Sequence, residues 1–371
     1  IFVFSLMNRL QACLFLRFIP GLGNIRSRKL WEFSDSPEAI FERSPKDFQT
    51  LEGIGSVHLQ HLKCWKEHSE RVYKAEEKLH KNNIKTLFLG DADYPQTLGF
   101  CPDAPLVLFY KGNLDFAQRK CISIVGTRSS DSKGEKLCRD LVAGLQEFDP
   151  IIISGFARGI DIIAHDQALK SDLTTIACMA HGLDQIYPPE HSIFCDRIEQ
   201  EGGFISEFTT EEKFDRKHFL IRNRIIAGLS HAKVVIQSQS KGGSMITANF
   251  VHQYHRELFA FPGDVGNSLH QGCHDLIRSQ KAQLITNADD LIKGMGWETQ
   301  YQKKSIQKKM FVELDSEEKA IFECLKDGAH ESLDNIALRT QISVGKTATL
   351  LLKLEMKGCV KPLPGKFFEW V

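Results

Sequence analysis

The chain has little that would support a metal centre, a disulfide scaffold or a strongly charge-driven interaction. Its 371 residues include ten cysteines, but these are scattered and form no C-x-x-C pair. That pattern argues against a zinc ribbon and a disulfide framework, and it favours small core residues in a reducing cytoplasm. The formal net charge is zero, which excludes a highly basic histone-like binder. It still allows a nucleic-acid protein whose cations lie on one face.

A long uninterrupted apolar run is also missing. The segment IFVFSLMNRLQACLFLRFIP at the start is rich in apolar side chains, but Arg9 and Arg17 interrupt it. The uninterrupted stretch is too short to cross a bilayer, so the segment predicts an amphipathic first helix and no membrane association.

Catalytic signatures are scarce. The loops that follow the predicted strands hold no paired carboxylates and no nucleophile with a base, and Ser154 lacks the G-x-S-x-G elbow. No spacing links His165, His181 or His191 to a metal or a nucleophile, so core or solvated histidines are favoured. We therefore expect no enzyme activity, no metal and no cofactor.

The sequence does have a regular β/α alternation. The segments CISIVGTRSS and IIISGFARGIDIIAH each begin with a β-branched run, at 122–125 and 151–154, and continue through a glycine turn into a helical pattern. The alternation continues to a strand at 258–261, and two further strands are predicted at 84–89 and 106–110. This pattern predicts an α/β fold with an extended Rossmann-like, doubly wound, mainly parallel sheet.

The two opening turns carry glycine and arginine together. Gly126, Gly155 and Gly159 allow close approach of backbone N–H groups to an anion, and Arg128 and Arg158 add guanidinium groups. Neither turn is the dinucleotide fingerprint G-x-G-x-x-G or a P-loop. The turns therefore predict an anion site, and the alternative is that they are only tight turns of the sheet.

Three further segments are expected at the same sheet edge: HGLDQIYPPEH, HFLIRNRIIAGLS and SKGGSMITANF. Their cations, glycines and hydroxyls suit phosphate recognition. The candidates in them are Arg222, Asn223, Arg224, Lys241, Gly243, Ser244 and Thr247. The alternative for Arg222 and Arg224 is a structural salt bridge with Glu207, Asp161 or Glu212.

We assign the predicted sheet to a domain of residues 83–297, and a smaller domain is expected on each side of it in the sequence. Residues 1–82 contain two glycine hairpins, IPGLGNIRSRKL and LEGIGSVHLQHL, typical of a SAM-like helix-hairpin-helix domain; Arg26, Arg28 and Lys29 favour DNA binding at the first. A lysine-rich linker is predicted at 298–314. Residues 315–371 predict a winged helix whose third helix, at 343–357, is the recognition element if there is one.

The motifs SIVGTR, SGFARGIDIIAH, HGLDQIYPPEH, RNRIIAGLS and GGSMITA, in this order, resemble the DprA/Smf family of DNA-processing proteins. The resemblance covers about 94–295 and includes the flanking domains. It implies a protein that binds single-stranded DNA, usually as a dimer, shields it and hands it to the RecA recombinase during uptake of transforming DNA. By position it assigns DNA contacts to Arg128, to 155–159, to 222–224 and to 242–247.

The chain departs from the family's pattern after the YPxE segment, where His191 and Ser192 stand in place of an expected Asn and a nearby Lys. Two rival hypotheses remain. A Rossmann-like hydrolase would use the same rim to hold a nucleotide or phosphoribosyl substrate, and a pure scaffold would have no nucleic-acid affinity in its central domain.

Overall fold

The computed structural model describes residues 7–116, 119–297, 314–326 and 330–370. The N-terminal region is helical, with α1 Arg9–Phe18, α2 Gly23–Ser34, α3 Ala39–Glu42, α4 Ser56–Lys63 and α5 Ser69–Lys81. Helix α1 is capped at its N-terminus by Asn8, and a continuous run, 12–16, is buried, so the middle of this helix packs on all sides rather than on one face. The single charged helix predicted at 65–82 is wrong in detail: a 3-10 turn, Trp65–His68, precedes α5.

The central region contains a nine-stranded sheet. Its strands are β1 Lys85–Phe88, β2 Val107–Gly112, β3 Cys121–Val125, β4 Ile151–Ser154, β5 Thr175–Cys178, β6 Gly202–Ser206, β7 Ala232–Val235, β8 Glu257–Ala260 and β9 Gln283–Leu284. Its helices are α6 Gln96–Gly99, α7 Ser132–Gly144, α8 Ile160–Lys170, α9 Cys195–Glu201, α10 Arg216–Leu229, α11 Gly243–Gln253, α12 Gln271–Arg278 and α13 Ala288–Gly294. The helix predicted at 190–201 begins as a 3-10 helix, Pro189–Phe194.

The strand order is β1-β2-β6-β5-β4-β3-β7-β8-β9. In this order, the seven strands from β6 to β9 run parallel. Strand β2 is antiparallel to β6, and the edge strand β1 is antiparallel to β2. The chain builds the sheet outward from β3 to β6 and then returns to place β7 on the other side of β3. Such a reversal is a topological switch point, where ligands bind at the carboxyl ends of the strands.

Both faces of the sheet are covered, as the apolar strands predict. Successive residues of β4 alternate between the two hydrophobic clusters: Ile152 belongs to one, and Ile151 and Ile153 to the other. The first cluster also contains Ile122 and Ile124 of β3, and the second extends into the N-terminal helices. The mainly parallel, doubly wound architecture is confirmed.

The C-terminal region forms the predicted winged helix. Its elements are α14 Ser316–Leu325, β10 Glu331–Ser332, α15 Leu333–Thr340, α16 Val344–Met356, β11 Val360–Leu363 and β12 Phe367–Trp370. The short strand β10, which the sequence did not predict, pairs with β12. The Phe367 ring stacks on Phe100 of the central region, with ring centroids 4.3 Å apart. The predicted linker, 298–314, lies outside the described residues except for Leu314.

Within the described ranges, no helix is both long and apolar enough to cross a membrane.

Candidate nucleic-acid interface

Three turns meet at the switch point and are joined by backbone hydrogen bonds. The N–H of Thr127, after β3, donates to the carbonyl of Gln237, after β7, at 2.8 Å. The N–H of Ile160, at the start of α8, donates to the carbonyl of Thr127 at 3.2 Å. The turns after β3, β4 and β7 therefore form one unit, which we call the rim.

Two glycines are required by this close approach. Gly159 has φ +76°, and a Cβ there would lie 2.2 Å from the carbonyl oxygen of Thr127. A Cβ on Gly126 would lie 2.5 Å from Cγ1 of Ile160. Gly155 is buried and enclosed by Asp161 and Arg222 rather than open to solvent. Unlike Gly126 and Gly159, Gly155 therefore lies beneath the surface of the rim.

Arg128 is exposed on the rim and lies beside an aromatic ring. Its guanidinium carbon is 5.4 Å from the centroid of Phe219 on α10. Phe219 in turn contacts Phe214 and Tyr187, with ring centroids 5.6 and 5.9 Å away. Phe214 and Tyr187 are 44% and 46% exposed. We call these three rings the aromatic cluster; an exposed cluster next to a cation suits base stacking beside a phosphate.

Arg158 also lies at the surface, but it is paired. Its Nε donates to the carboxylate of Glu190 at 2.5 Å, and 66% of its side chain is exposed. The side-chain hydrogen bond from Arg158 holds the pKa of Glu190 below its usual range. Exposed pairs of this kind contribute little stability, so a phosphate can replace the carboxylate at small cost.

In the loop after β7, some of the predicted side chains are exposed to solvent, and others form hydrogen bonds within the loop. Lys241 and Gly243 are exposed. The hydroxyl of Ser244 is hydrogen-bonded to Ser238 at 2.6 Å, and that of Thr247 donates to the carbonyl of Gly243 at 3.1 Å. Because both hydroxyls are buried and occupied, they shape the loop instead of facing a ligand.

Arg222 is buried beneath the rim. It donates to the carbonyl of Gly155 at 2.8 Å and to the carbonyl of Cys178. Burial lowers its pKa and the nearby Asp161 carboxylate opposes that shift. Its neighbour Asn223 is half-buried and accepts from Arg222 Nε at 3.4 Å. Arg222 therefore holds the turn after β4 in place through hydrogen bonds.

Arg224 forms the structural salt bridge that was the alternative to a DNA contact. Its guanidinium donates to the Glu207 carboxylate, and both side chains are buried, with 7% and 2% exposed. Asp103 adds a further contact at 3.7 Å. Burial opposes the charge of Arg224, but Glu207 and Asp103 raise its pKa. The predicted R-N-R segment therefore lies under the rim, and neither arginine presents free donors to solvent.

The aromatic cluster and a group of cations next to it were not among the predicted site residues. The cations, Lys213, Arg216 and Lys217, are exposed at the N-terminus of α10. The segment KFDRKHF, which holds five of these residues, interleaves cations with aromatics, and that composition is typical of single-strand binding. This interleaving was the available signal. The proximity of Tyr187, from the loop after β5, had no sequence signal.

The basic residues of the first N-terminal hairpin are occupied inside the protein. Arg26 donates to the carbonyls of Gly53 and Gly21, which joins the two hairpins. Arg28 donates to the carbonyls of Gly99 and Cys101 in the central region. These arginines hold the helical region together and against the sheet, so they leave little positive charge for DNA at this hairpin.

The lysines of α16 are likewise paired. Lys346 lies 2.5 Å from the carboxylate of Glu317, and Lys353 and Lys357 lie 3.0 and 2.6 Å from that of Glu318. The lysines of α16, the predicted recognition helix if there is one, therefore pair with the carboxylates of α14.

Comparison with known proteins places this geometry in a family. A family model described as DNA recombination-mediator protein A matches residues 85–296, and one described as the DprA winged helix domain matches residues 312–366. DNA processing protein DprA of Streptococcus pneumoniae is 38% identical over 202 residues, which cover 54% of this chain and 71% of the relative.

Two solved structures are similar. The X-ray structure of S. pneumoniae DprA gives a TM-score of 0.68 at 30% identity and covers 77% of this chain and 98% of that chain. DNA processing protein A of Helicobacter pylori, whose structural study describes a single-stranded DNA binding mode, gives a TM-score of 0.51 at 29% identity. The match covers 57% of this chain and 95% of that chain. The resemblance noted in the sequence is thereby confirmed, and this chain belongs to the DprA/Smf family of DNA-processing proteins.

Proposed function

We propose that the chain binds single-stranded DNA along the rim and the aromatic cluster, shields it, and delivers it to the RecA recombinase. The observation that carries the proposal is the exposed Arg128 next to Phe219, Phe214 and Tyr187 at the switch point of the sheet. Single-strand binders combine cations that follow the backbone with aromatic faces on which bases stack. The H. pylori relative, described as a single-stranded DNA binder, supports the same choice.

The groups have separate roles in this proposal. Arg128, Arg158 and Lys241 contact phosphates, and the glycine turns Gly126 and Gly159 let the backbone come close to the strand. Unpaired bases stack on the aromatic cluster. A duplex has no free bases for such stacking, because its bases are paired and stacked on each other. Arg222, Asn223 and Arg224 hold the turns in place from below.

The steps beyond binding follow from the family. A recombination mediator must give up its strand to a recombinase, so we propose RecA as the partner and a homodimer as the acting form. The protein would act in the cytoplasm, where incoming single strands meet RecA, and it would need no catalytic residue for this role.

Fluorescence anisotropy with a labelled oligonucleotide tests the binding step. We expect the single strand to bind more tightly than the duplex of the same sequence, and Arg128→Ala to weaken binding to the single strand. Arg139→Ala is the matched control, because 43% of the Arg139 side chain is exposed and it lies on α7, where it pairs with Glu135. Equal binding of single strand and duplex would contradict the proposal.

The delivery step has its own readout. RecA ATP hydrolysis on a strand already covered by a single-strand-binding protein should start sooner when the chain is added. Arg128→Ala should reduce this acceleration, and an unchanged delay with the wild-type chain would reject RecA delivery while leaving the binding step intact.

A further inference from the structure

An open groove of about 1020 Å³ lies between helix α5 of the N-terminal region and the segment that leads into α10. Arg71 of α5 lines one side, and residues 211–216 together with His218 line the other. Pockets of about 300–1,000 Å³ hold drug-sized ligands, so this groove has room for a nucleotide.

The three carboxylates that line the groove are already held by donors of the protein. Glu211 lies 2.6 Å from the Nζ atom of Lys78 on α5. Glu212 accepts a hydrogen bond from Nε of Arg17 at 2.6 Å. Asp215 caps α10 and accepts from a backbone N–H of its first turn at 2.8 Å, where the helix dipole favours a negative charge. These acids therefore do not cancel the other cations of the groove.

Two of those cations are exposed on the α10 side. Lys213 and Arg216 line the groove, and neither forms an ion pair with a carboxylate of the described residues. A positive charge in the first turn of a helix is disfavoured by the helix dipole. The position of Arg216 therefore adds nothing to stability, and its charge is available to an anion.

The cation on the opposite side is held in place by its neighbours. The guanidinium carbon of Arg71 lies 3.9 Å from the centroid of the Phe18 ring on α1. Its Nη2 donates to the backbone carbonyl of Glu211 at 3.3 Å. A guanidinium has five N–H donors, so this bond leaves donors for a phosphate. Arg71 thus faces Lys213 and Arg216 across the groove.

The groove is continuous with the proposed DNA path. Phe214 lines the groove and belongs to the aromatic cluster, where its ring centroid lies 5.0 Å from that of Tyr187. A strand that leaves the cluster over Phe214 therefore passes between cations on both sides. Single-strand binders use such a positively charged groove to follow the backbone next to their stacking platforms.

We propose that this groove carries the phosphates of the bound single strand beyond the aromatic cluster, so that α5 forms part of the DNA interface. Arg71, Lys213 and Arg216 contact the phosphates, without a preference for particular bases. The N-terminal region thus contributes to binding through α5 and not through its glycine hairpins. This inference rests on the proposed single-strand binding and extends it to strands long enough to pass the cluster.

The first test measures anisotropy with thymine strands of about 4 to 16 nucleotides, a range that covers the site sizes of single-strand-binding folds. In the double variant Lys213→Ala/Arg216→Ala, we expect unchanged affinity for the shortest strands that bind and a several-fold loss for the longest. The salt slope of the longest strand should become shallower by about 1.4, which corresponds to two phosphate contacts. An unchanged slope, or an equal loss at every length, overturns the inference.

The matched control is Arg43→Ala/Lys46→Ala. It removes the same two residue types at the same spacing from exposed positions that do not line the groove. We expect wild-type affinity at every length, and a loss as large as that of the groove variant overturns the inference. A wild-type chain that binds no single strand of any length would instead reject the proposed function itself.

The second test asks whether α5 takes part. Arg71→Gln removes the charge, whereas Arg71→Lys keeps the charge and loses the planar guanidinium above Phe18. We expect Arg71→Gln to weaken only the long strands and to reduce their salt slope by about 0.7, and Arg71→Lys to retain the wild-type slope. Equal losses in the two variants would trace the effect to packing on Phe18, and a wild-type slope in Arg71→Gln would exclude the contact; either result overturns the inference.

Discussion

The guanidinium carbon of Arg128 lies 5.4 Å from the centroid of the Phe219 ring. The two residues come from different elements: Arg128 follows β3, and Phe219 lies in the first turn of α10. Together they place a positive charge and an aromatic face within the span of one nucleotide. In the proposed function, Arg128 contacts a phosphate and Phe219 provides a stacking surface that a duplex cannot use.

The aromatic face makes the first prediction. Phe219→Leu keeps an apolar side chain but removes the ring, and stacking is worth about 1–3 kcal/mol per base. We expect single-strand affinity to fall by about 5- to 150-fold with little change in Tm, as measured by anisotropy and thermal unfolding. Phe33→Leu, at an exposed ring of the N-terminal region, is the control and should bind normally. Unchanged affinity in Phe219→Leu would contradict base stacking at this ring.

Arg224 and Arg128 should differ in what they affect. Arg224→Ala removes the nearer of two guanidinium partners of the buried Glu207 carboxylate and leaves Arg17 at 3.5 Å. Removing one partner of a buried pair costs about 3–5 kcal/mol. We expect a marked fall in the urea midpoint for Arg224→Ala and almost none for Arg128→Ala, whose side chain is exposed. An Arg224→Ala chain with wild-type stability and lost DNA binding would instead make Arg224 a direct contact.

The rim turns predict a contrast between two glycines. Gly159→Ala places a Cβ 2.2 Å from the Thr127 carbonyl and holds a left-handed φ, so it should separate the turns and reduce both stability and single-strand binding. Gly243 has no atom within 4 Å of its Cβ position, and Gly243→Ala should leave stability unchanged. Both effects can be read from unfolding curves and anisotropy, and a fully active Gly159→Ala chain would contradict the joined turns.

The winged helix should weaken in acid through Glu318. Hydrogen bonds from Lys357 and Lys353 lower the pKa of this carboxyl from 4.5 to about 2. A carboxyl whose pKa is lower in the folded protein than in the unfolded chain stabilises the fold at pH values above its unfolded pKa. That stability is lost as pH falls from about 4.5 towards 2.

Thermal unfolding of wild type and Glu318→Gln checks this prediction. The difference in Tm should be largest near pH 7 and should shrink steadily below pH 4.5. Glu317→Gln, at an exposed carboxylate on the same helix, should show a small difference at every pH. A Glu318→Gln difference that stays constant down to pH 2.5 would contradict the pairing.

The sequence predicted the sheet well because its central strands are buried on both faces. Runs such as Ile151–Ser154 are β-branched and apolar, and the glycine turns that follow them mark strand ends locally. Edges of helices were less predictable: the 3-10 starts at Trp65 and Pro189 depend on packing rather than on periodicity.

The site was predictable only in part. Arg128 and Arg224 were both predicted DNA contacts, yet one is exposed and the other is buried against Glu207. That difference depends on an acceptor supplied by the end of β6, which no local pattern contains. For the same reason the sequence did not show that the lysines of α16 pair with carboxylates of α14.

The most direct test of the account measures how single-strand affinity depends on salt in the wild-type chain and in Arg128→Ala. For single strands, the logarithm of the binding constant falls with the logarithm of salt concentration by about 0.7 per phosphate contact. We predict a steep slope for the wild type and a slope shallower by about 0.7 for Arg128→Ala. A flat wild-type dependence, or equal slopes for the two chains, would contradict phosphate binding at the rim.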